Sequence, residues 1–532
     1  MDFDPVPYDL VGATTLWCLG LLIVSAITLV TLTITSILTV GATGPLRVLA
    51  EIRSCAGDWF GTSPRRLGAL ALLTIRESIR RKSLFVFVVF AVLFLFAGWF
   101  MRGLPNDSTF HVNVYVSFVL RTISWLTLVV MLLLACWGLP EDIKARSLHT
   151  VVTKPVRKNE VVLGRILGYA AVGGLVLLVM GVVGYFWILR QLPAQQRSRL
   201  VARVPVYGAL TFLDREGSPA KEGVNTGDIW MFRSYIEGNT KARAMWDFQN
   251  IDPARLQTAG GGALRLESNF QVFRTYKGNI ERGILCQFVF VNEARKIRAP
   301  VPAFEVQEFR ENLHTIAPEL TDEAGKPVNL FTDLIQDGNL KIEVRCLSGQ
   351  QFLGVARPDL FIRLPDRTFA ETYFKGVLGI GLMLFLVIVL GVVASSFLKG
   401  PIATILAVFV LIVGRMARPF LESMTAGEIQ GVGALESLYK IPAHINPSVQ
   451  LDPSAGVKIT QAIDSAELNL LWAIKFLFPE FKYYDMAEYV AKGYDVPWSA
   501  AILPSLAITV GYALPWILLG HVCLKLRELE SK

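Results

Sequence analysis

Residues 376–398 read GVLGIGLMLFLVIVLGVVASSFL, a run of 23 residues without a charge. A bilayer core about 30 Å thick takes roughly 17 to 25 mostly apolar helical residues, so this run has the length and composition of a transmembrane helix. Searching outward with the same criterion gives seven candidate spans: Leu10–Val40, Leu84–Phe100, Val114–Leu139, Leu167–Leu189, Gly376–Leu398, Pro401–Ala417 and Ser499–Leu524. The sixth is interrupted at its outer end by Arg415. The whole chain follows suit, with 53% hydrophobic and 18% charged residues over 532 positions and a mean hydropathy of +0.46. Soluble domains carry about a quarter charged residues. The fold class expected is a polytopic α-helical membrane protein of about seven spans.

Charge fixes an expected orientation. The 52 Lys and Arg outnumber 44 Asp and Glu, for a net +8, and they gather beside the apolar runs, which argues for membrane topology rather than nucleic acid. The opening MDFDPVPYD holds three aspartates and no Lys or Arg, unlike a cleavable signal, so the first run is read as a retained span. Behind it come Arg47, Arg53, Arg65, Arg66, Arg76, Arg80, Arg81 and Lys82. The positive-inside bias places residues 43–83 in the cytoplasm and the N-terminus outside. Alternation puts 140–165 inside, where Lys144, Arg146, Lys154, Arg157, Lys158 and Arg165 fit independently. Residues 190–375 and 418–498 then lie outside, and the C-terminal LKLRELESK inside; a re-entrant sixth segment would invert everything after it.

The expected domains are an N-terminal helix (1–42), an interfacial helix with spans two to four (43–189), an extracytoplasmic β-rich insertion (190–375), and spans five to seven with a second outside segment at 418–498. In the insertion, VPVYGALTFLD, GALRLESNFQVFRTY, ILCQFVFVNEA, NLKIEVRCLSG and DLFIRLP are β-branched and aromatic runs bounded by turn residues, the pattern of strands. Leu264, Leu266, Ser268, Phe270 and Val272 alternate with polar neighbours and predict one buried face. About 185 residues suffice for a sandwich or jelly roll with its own core. Trp230, Phe232, Tyr235 and Trp246 are read as core aromatics in preference to ligand contacts. Cys286 and Cys346 share this region, and either a disulfide or two buried thiols fits. In the second outside segment, LNLLWAIKFLFPEF (468–481) is too short to span and suits a packed, interfacial or re-entrant helix.

Several chemistries lack their residues. No G-x-x-x-x-G-K-[ST] is present to wrap phosphates, no H-E-x-x-H or paired Cys-x-x-Cys supplies metal-ligand spacing, and no G-x-S-x-G elbow occurs. His111, His149, His314, His444 and His521 are scattered. The chain is therefore expected to be a non-enzyme without metal or cofactor of its own.

Two stretches carry mechanism. In SPRRLGALALLTIRESIRRKSLFVFVVFAVLFLF (63–96), Leu67, Leu70, Ala71 and Thr74 fall at helical spacing opposite Arg76, Arg80 and Arg81, the pattern of an amphipathic helix on the inner surface turning into a span. In LPEDIKARSLHTVVTKPVRKNEVVLGRILGY (139–169), Pro140, Glu141 and Asp142 suit a helix start. Lys144, Arg146 and His149 follow, closed by Thr153, Lys154 and Pro155, a short charged helix suited to docking another protein.

With the later SSFLKGPIATILAVFVLIVG (395–414) and FLFPEFKYYDMAEYVAKGYDVPW (476–498), this order resembles the permease subunits of exporter-type ATP-binding-cassette transporters, the type-2 family, over residues 64–190 and 376–524. Glu141 matches the acidic residue opening that family's cytoplasmic helix. Lys154, Pro155, Val156 and Arg157 match the segment leading to the next span, and Gly164 and Arg165 its start. The resemblance implies ATPase-coupling residues at Glu141, Asp142, Lys144, Arg146, Lys154, Pro155 and Arg157, and an interfacial helix bearing Arg76, Glu77, Arg80 and Arg81. It further implies a separate ATPase subunit that binds ATP and Mg, a second permease copy or paralogue, and a bacterial inner membrane. The family core has six spans, so the added first span and the β-rich insertion leave the substrate open. Arg121, within the third run, is expected to be structural in preference to lining a transport path. A membrane-anchored extracytoplasmic ligand-binding, sensing or scaffold protein is the alternative reading.

Overall fold

In hydrocarbon every backbone N–H and C=O has to be paired within its own segment, and the uncharged runs are accordingly helical. A computed structural model describes residues 8–41, 43–80, 85–100, 108–144, 156–192, 197, 200–220, 222–224, 233–274, 283–307, 311–425, 433–445 and 455–526. Two compact units emerge, one including Leu200–Thr372 and Gly493–Asp495, the other formed by Pro7–Arg199, Tyr373–Lys492 and Val496–Lys532.

The membrane unit opens with α1 (Leu10–Val40), α2 (Gly44–Phe60), α3 (Pro64–Arg80), α4 (Phe85–Phe100), α5 (Ser108–Lys144) and α6 (Lys158–Gln191). After the β-rich unit come α7 (Phe369–Phe397), α8 (Gly400–Thr425), α9 (Ala434–Lys440), α10 (Ala455–Lys475) and α11 (Leu503–Leu526). Six of these, α1, α5, α6, α7, α8 and α11, are long and apolar enough to cross a bilayer. The remaining expected span, Leu84–Phe100, forms α4, whose 16 described residues are fewer than in any of these six. Its Phe94 ring lies 4.9 Å from Trp187.

Helix α7 is the centre of this unit, with 78% of its apolar window buried. Gly391 permits this, since a Cβ there would stand 2.7 Å from Ala135 Cβ on α5. Helix α1 is the opposite case, with no residue of its apolar window buried. Trp17 Nε1 donates to Gly511 C=O on α11 at 3.0 Å, and the α1 threonines donate to their own helix, as Thr28 does to Val24 C=O at 2.7 Å. Arg415 does not end α8: the helix widens at Val413–Ala417 and runs on to Thr425, while Arg415 pairs with Asp485 at 2.5 Å and Arg418 with Glu480 at 3.4 Å. The apolar stretch at 468–481 supplies the end of α10 and a turn packed on the bundle, where Tyr512 Oη donates to Phe476 and Phe478 C=O at 2.8 and 2.9 Å.

The β-rich unit is built of antiparallel sheets, numbered β1 (Val201–Tyr207), β2 (Ala209–Leu213), β3 (Pro219–Ala220), β4 (Ser234–Glu237), β5 (Arg243–Phe248), β6 (Leu264–Ser268), β7 (Gln271–Arg274), β8 (Ile284–Asn292), β9 (Ile297–Pro300), β10 (Phe304–Val306), β11 (Asn312–Ile316), β12 (Glu319–Thr321), β13 (Pro327–Asn329), β14 (Leu340–Cys346), β15 (Gln351–Val355) and β16 (Leu360–Thr368). One sheet runs β1-β16-β6-β11, a larger one β10-β8-β14-β5-β2-β3 with β9 on β8, and a third β4-β15-β7. The alternation through Leu264, Leu266, Ser268, Phe270 and Val272 is buried as expected. It nevertheless crosses from one sheet to another, β6 and β7 being separate strands. Tyr235 and Trp246 are core residues at 1% and 0% exposure; Trp230 and Phe232 lie outside the described residues.

One boundary differs from expectation. Gly493–Asp495, assigned by sequence to the second outside segment, belongs to the β-rich unit. Arg203 N–H donates to Gly493 C=O and Asp495 N–H to Arg203 C=O, both at 2.8 Å, so this short piece extends the β1 edge in parallel. Asp495 also accepts from Thr372 Oγ1 at 2.9 Å.

Candidate coupling site at the arginine-rich end of the membrane unit

Most of the residues singled out in 64–165 come together at one end of the helices. Helix α3 lies against the first turns of α6, and the approach depends on glycine: a Cβ on Gly164 would stand 2.5 Å from Leu70 Cβ, and one on Gly168 2.5 Å from Thr74 Cβ. A glycine every fourth residue lets two helix backbones touch. The apolar positions Leu67, Leu70, Ala71 and Thr74 therefore face α6, while Arg76 and Arg80 are exposed; Arg81 lies outside the described residues.

Beside this contact Arg165 of α6 sits at 8% side-chain exposure between two carboxylates, Glu77 of α3 and Asp142 of α5. One guanidinium thus ties three helices. A turn earlier, Glu160, fully buried, accepts from Ser63 N–H at 2.8 Å, Arg157 N–H at 3.1 Å and Arg66 Nε at 3.0 Å. Asn159 Nδ2 donates to Asp58 C=O at 3.0 Å and Thr62 Oγ1 at 2.7 Å. The corner between α2 and α3 is thereby clasped by the start of α6. The end of α11 completes it: Lys158 Nζ donates to Lys525 C=O at 3.0 Å, Lys525 lies 3.4 Å from Glu51, and His521 lies 3.4 Å from Asp58.

The expected coupling residues divide into two sets. Asp142 is joined to Arg165, as is Glu77 of the expected interfacial helix, and Arg157 holds the α2–α3 corner through Gly57 C=O and Asp58, at 3.8 Å from the latter. These are internal fasteners. Glu141 and Lys144 are exposed at the end of α5. Arg146, Lys154 and Pro155 lie outside the described residues. Pro140 does not open a separate helix but lies inside α5, which continues unbroken to Lys144. A proline at this point withdraws its own N–H from the helical ladder. Arg121 is half exposed with Glu488 at 3.9 Å.

Sequence reading passed over Glu160, Asn159 and Asp58 and took Arg66 only as an orienting charge; their roles depend on which helices meet. The spacing of Gly164 and Gly168 was a usable signal for that meeting. Among the described residues, no group of three or more His, Cys, Asp or Glu is placed to hold a metal ion. No family model, no curated protein and no solved structure matches this chain.

Proposed function

We propose that this chain is the membrane-spanning permease subunit of an ATP-binding-cassette exporter, with a separate ATPase docking on Glu141, Lys144 and the segment 145–155. The observation that supports the reading is the three-helix tie at Arg165. A docking element transmits a stroke only if it is rigidly joined to the spans that must move, and here the helix ends on both sides of 145–155 are joined through Asp142 and Arg165. ATP binding by the partner would then favour one arrangement of the bundle through differential contact with this end. On this reading the arginine-rich end is cytoplasmic, the β-rich unit lies outside, and the work done is export or a mechanical event outside the membrane.

The test is a mild-detergent pull-down of the tagged chain with ATPase assay and mass spectrometry. A P-loop ATPase at about equal stoichiometry is expected, lost when Glu141→Lys and Arg146→Glu are combined while membrane insertion persists. Recovery of the chain without any ATPase, or association and transport unchanged in the double variant, would sink the docking role. The first of those outcomes turns attention to ligands of residues 200–372.

A further inference from the structure

We propose that Cys286 and Cys346 are a native oxidation site, joined as a cross-strand disulfide when the β-rich unit folds in an oxidising compartment. The inference rests on the outside placement of that unit, and on nothing else in the exporter reading.

Cys286 on β8 and Cys346 on β14 are direct partners across the ladder. Their neighbours fix which kind of pair they form. Leu347 N–H donates to Leu285 C=O at 2.8 Å, so 285 and 347 are a hydrogen-bonded pair and the alternation makes 286 and 346 a non-hydrogen-bonded one. At such positions the two Cα atoms approach to about 4.5 Å and the side chains are closest, inside the span that a disulfide bridges. The Cys346 backbone agrees, its C=O turned away from β8 to accept from Asn239 N–H at 3.0 Å.

Both side chains are enclosed, at 0% and 2% exposure, and the Cys346 thiol donates to Ser348 C=O at 3.8 Å. Gly238 closes the space beside them: a Cβ there would stand 2.9 Å from Cys346 Sγ. The four other cysteines, Cys18, Cys55, Cys136 and Cys523, all belong to the membrane unit. An oxidant delivered to the β-rich unit therefore meets a single adjacent pair. Oxidation removes two protons and two electrons from the thiols and passes them to the disulfide of a thiol-disulfide oxidoreductase, which leaves as its dithiol. Enclosure means that the bond forms while β8 and β14 are pairing and is afterwards shielded from reductant.

The experiment uses the full chain extracted from its native membrane into denaturant. Free thiols are alkylated with one reagent, the protein is reduced, and newly freed thiols are alkylated with a second of different mass. The expected result is the second label on Cys286 and Cys346 and the first on the other four. A parallel Lys241→Cys variant, at an exposed position of the β-rich unit, is treated in intact cells with a membrane-impermeant maleimide and should be labelled from outside. First label on both Cys286 and Cys346, with Lys241→Cys reached from outside, overturns the proposal and leaves the exporter reading intact. Failure to reach Lys241→Cys overturns the proposal together with the orientation. Loss of ATPase copurification with the disulfide present would count against the exporter reading alone.

Discussion

Arg165 in the membrane unit and Arg203 in the β-rich unit are both buried arginines between two carboxylates, at 8% and 11% side-chain exposure. Their surroundings differ in what else holds the neighbours together. Around Arg203 the backbone does much of the joining: β1 is laddered to β16, and Arg203 itself exchanges main-chain bonds with Gly493 and Asp495. Its partner Glu267 has a second cation in Arg363 at 3.2 Å, and the Tyr494 ring lies 4.4 Å from its guanidinium. Around Arg165 each helix has already used its own backbone, so the ties from Arg165 to α3 and α5 run between side chains. A buried arginine in a sheet is one of several fasteners, and in a bundle it can be the principal one.

That contrast gives the largest expected effect. Arg165→Leu leaves Asp142 buried and Glu77 mostly so, each without this cation, and breaking a buried pair from one side costs about 3–5 kcal/mol. Arg203→Leu leaves Glu267 with Arg363 and should cost less, about 1–3 kcal/mol. Unfolding of the two purified variants, followed by the buried Trp246 for the β-rich unit and by aggregation temperature for the bundle, checks the order. Equal losses would break the comparison. Adding Asp142→Leu to Arg165→Leu should recover part of the loss, because one buried carboxylate that has lost this cation is removed.

The second prediction probes how the same junction is packed. Gly168→Ala puts a methyl 2.5 Å from Thr74 Cβ and 2.8 Å from Ala71 C=O, whereas Gly174→Ala, on the same helix, meets nothing within 4 Å. The first should destabilise the bundle by roughly 1–3 kcal/mol through overpacking. The second should be neutral or slightly stabilising, since alanine is the better helix former. Thermal unfolding of the two in one detergent reads the difference.

The β-rich unit carries a buried histidine whose protonation couples its stability to pH. His314 Nε2 lies 2.9 Å from Ser268 Oγ, with the Phe288 and Phe304 rings 4.9 and 4.2 Å away. Burial there pushes the imidazole down to about 4 from its ordinary 6.5. A depressed folded value means the unfolded chain takes up the proton first. The stability it contributes is whole above pH 6.5 and falls as pH drops toward about 4. The slope is at most about 1.4 kcal/mol per pH unit for a fully shielded ring, and smaller for one that keeps some water contact. Glu267, lifted by burial, acts in the opposite sense at the acid end, so the measurement is the difference between wild type and His314→Phe. A difference profile flat from pH 7 to 4 would refute the assignment.

How much of this was legible follows from the same contrast. Strands announce themselves locally: the alternation from Leu264 to Val272 gave the buried face residue by residue, because period two needs no knowledge of the partner. It did not give the sheet change between β6 and β7, which depends on tertiary pairing. Apolar runs placed the six long helices for a similarly local reason. That Asp142 and Glu77 both reach Arg165 was not legible, since only the meeting of α3 with α5 and α6 brings the three together. The attachment of Gly493–Asp495 to β1 was equally invisible, three residues being too few to carry a periodicity.

The smallest expected effect concerns Arg121, the one charge inside its apolar run. A basic side chain at the bilayer centre costs about 2.5–3.5 kcal/mol on insertion scales, so a deeply placed Arg121 would gain from removal or be committed to a path. Here it is 57% exposed and 3.9 Å from Glu488, itself 42% exposed. Glu488 also holds Lys492 at 3.1 Å and is kept below the usual carboxylate range chiefly by that lysine. The 3.9 Å separation makes this a long pair, and Glu488 has another cation, Lys492, when Arg121 is gone. Arg121→Ala should therefore shift unfolding by less than about 0.5 kcal/mol and, on the exporter reading proposed above, leave the substrate-stimulated activity of the proposed ATPase partner unchanged. A fall in that activity with unfolding unaltered would place Arg121 on the path after all, and would make the interior of α5 as functionally committed as its charged end.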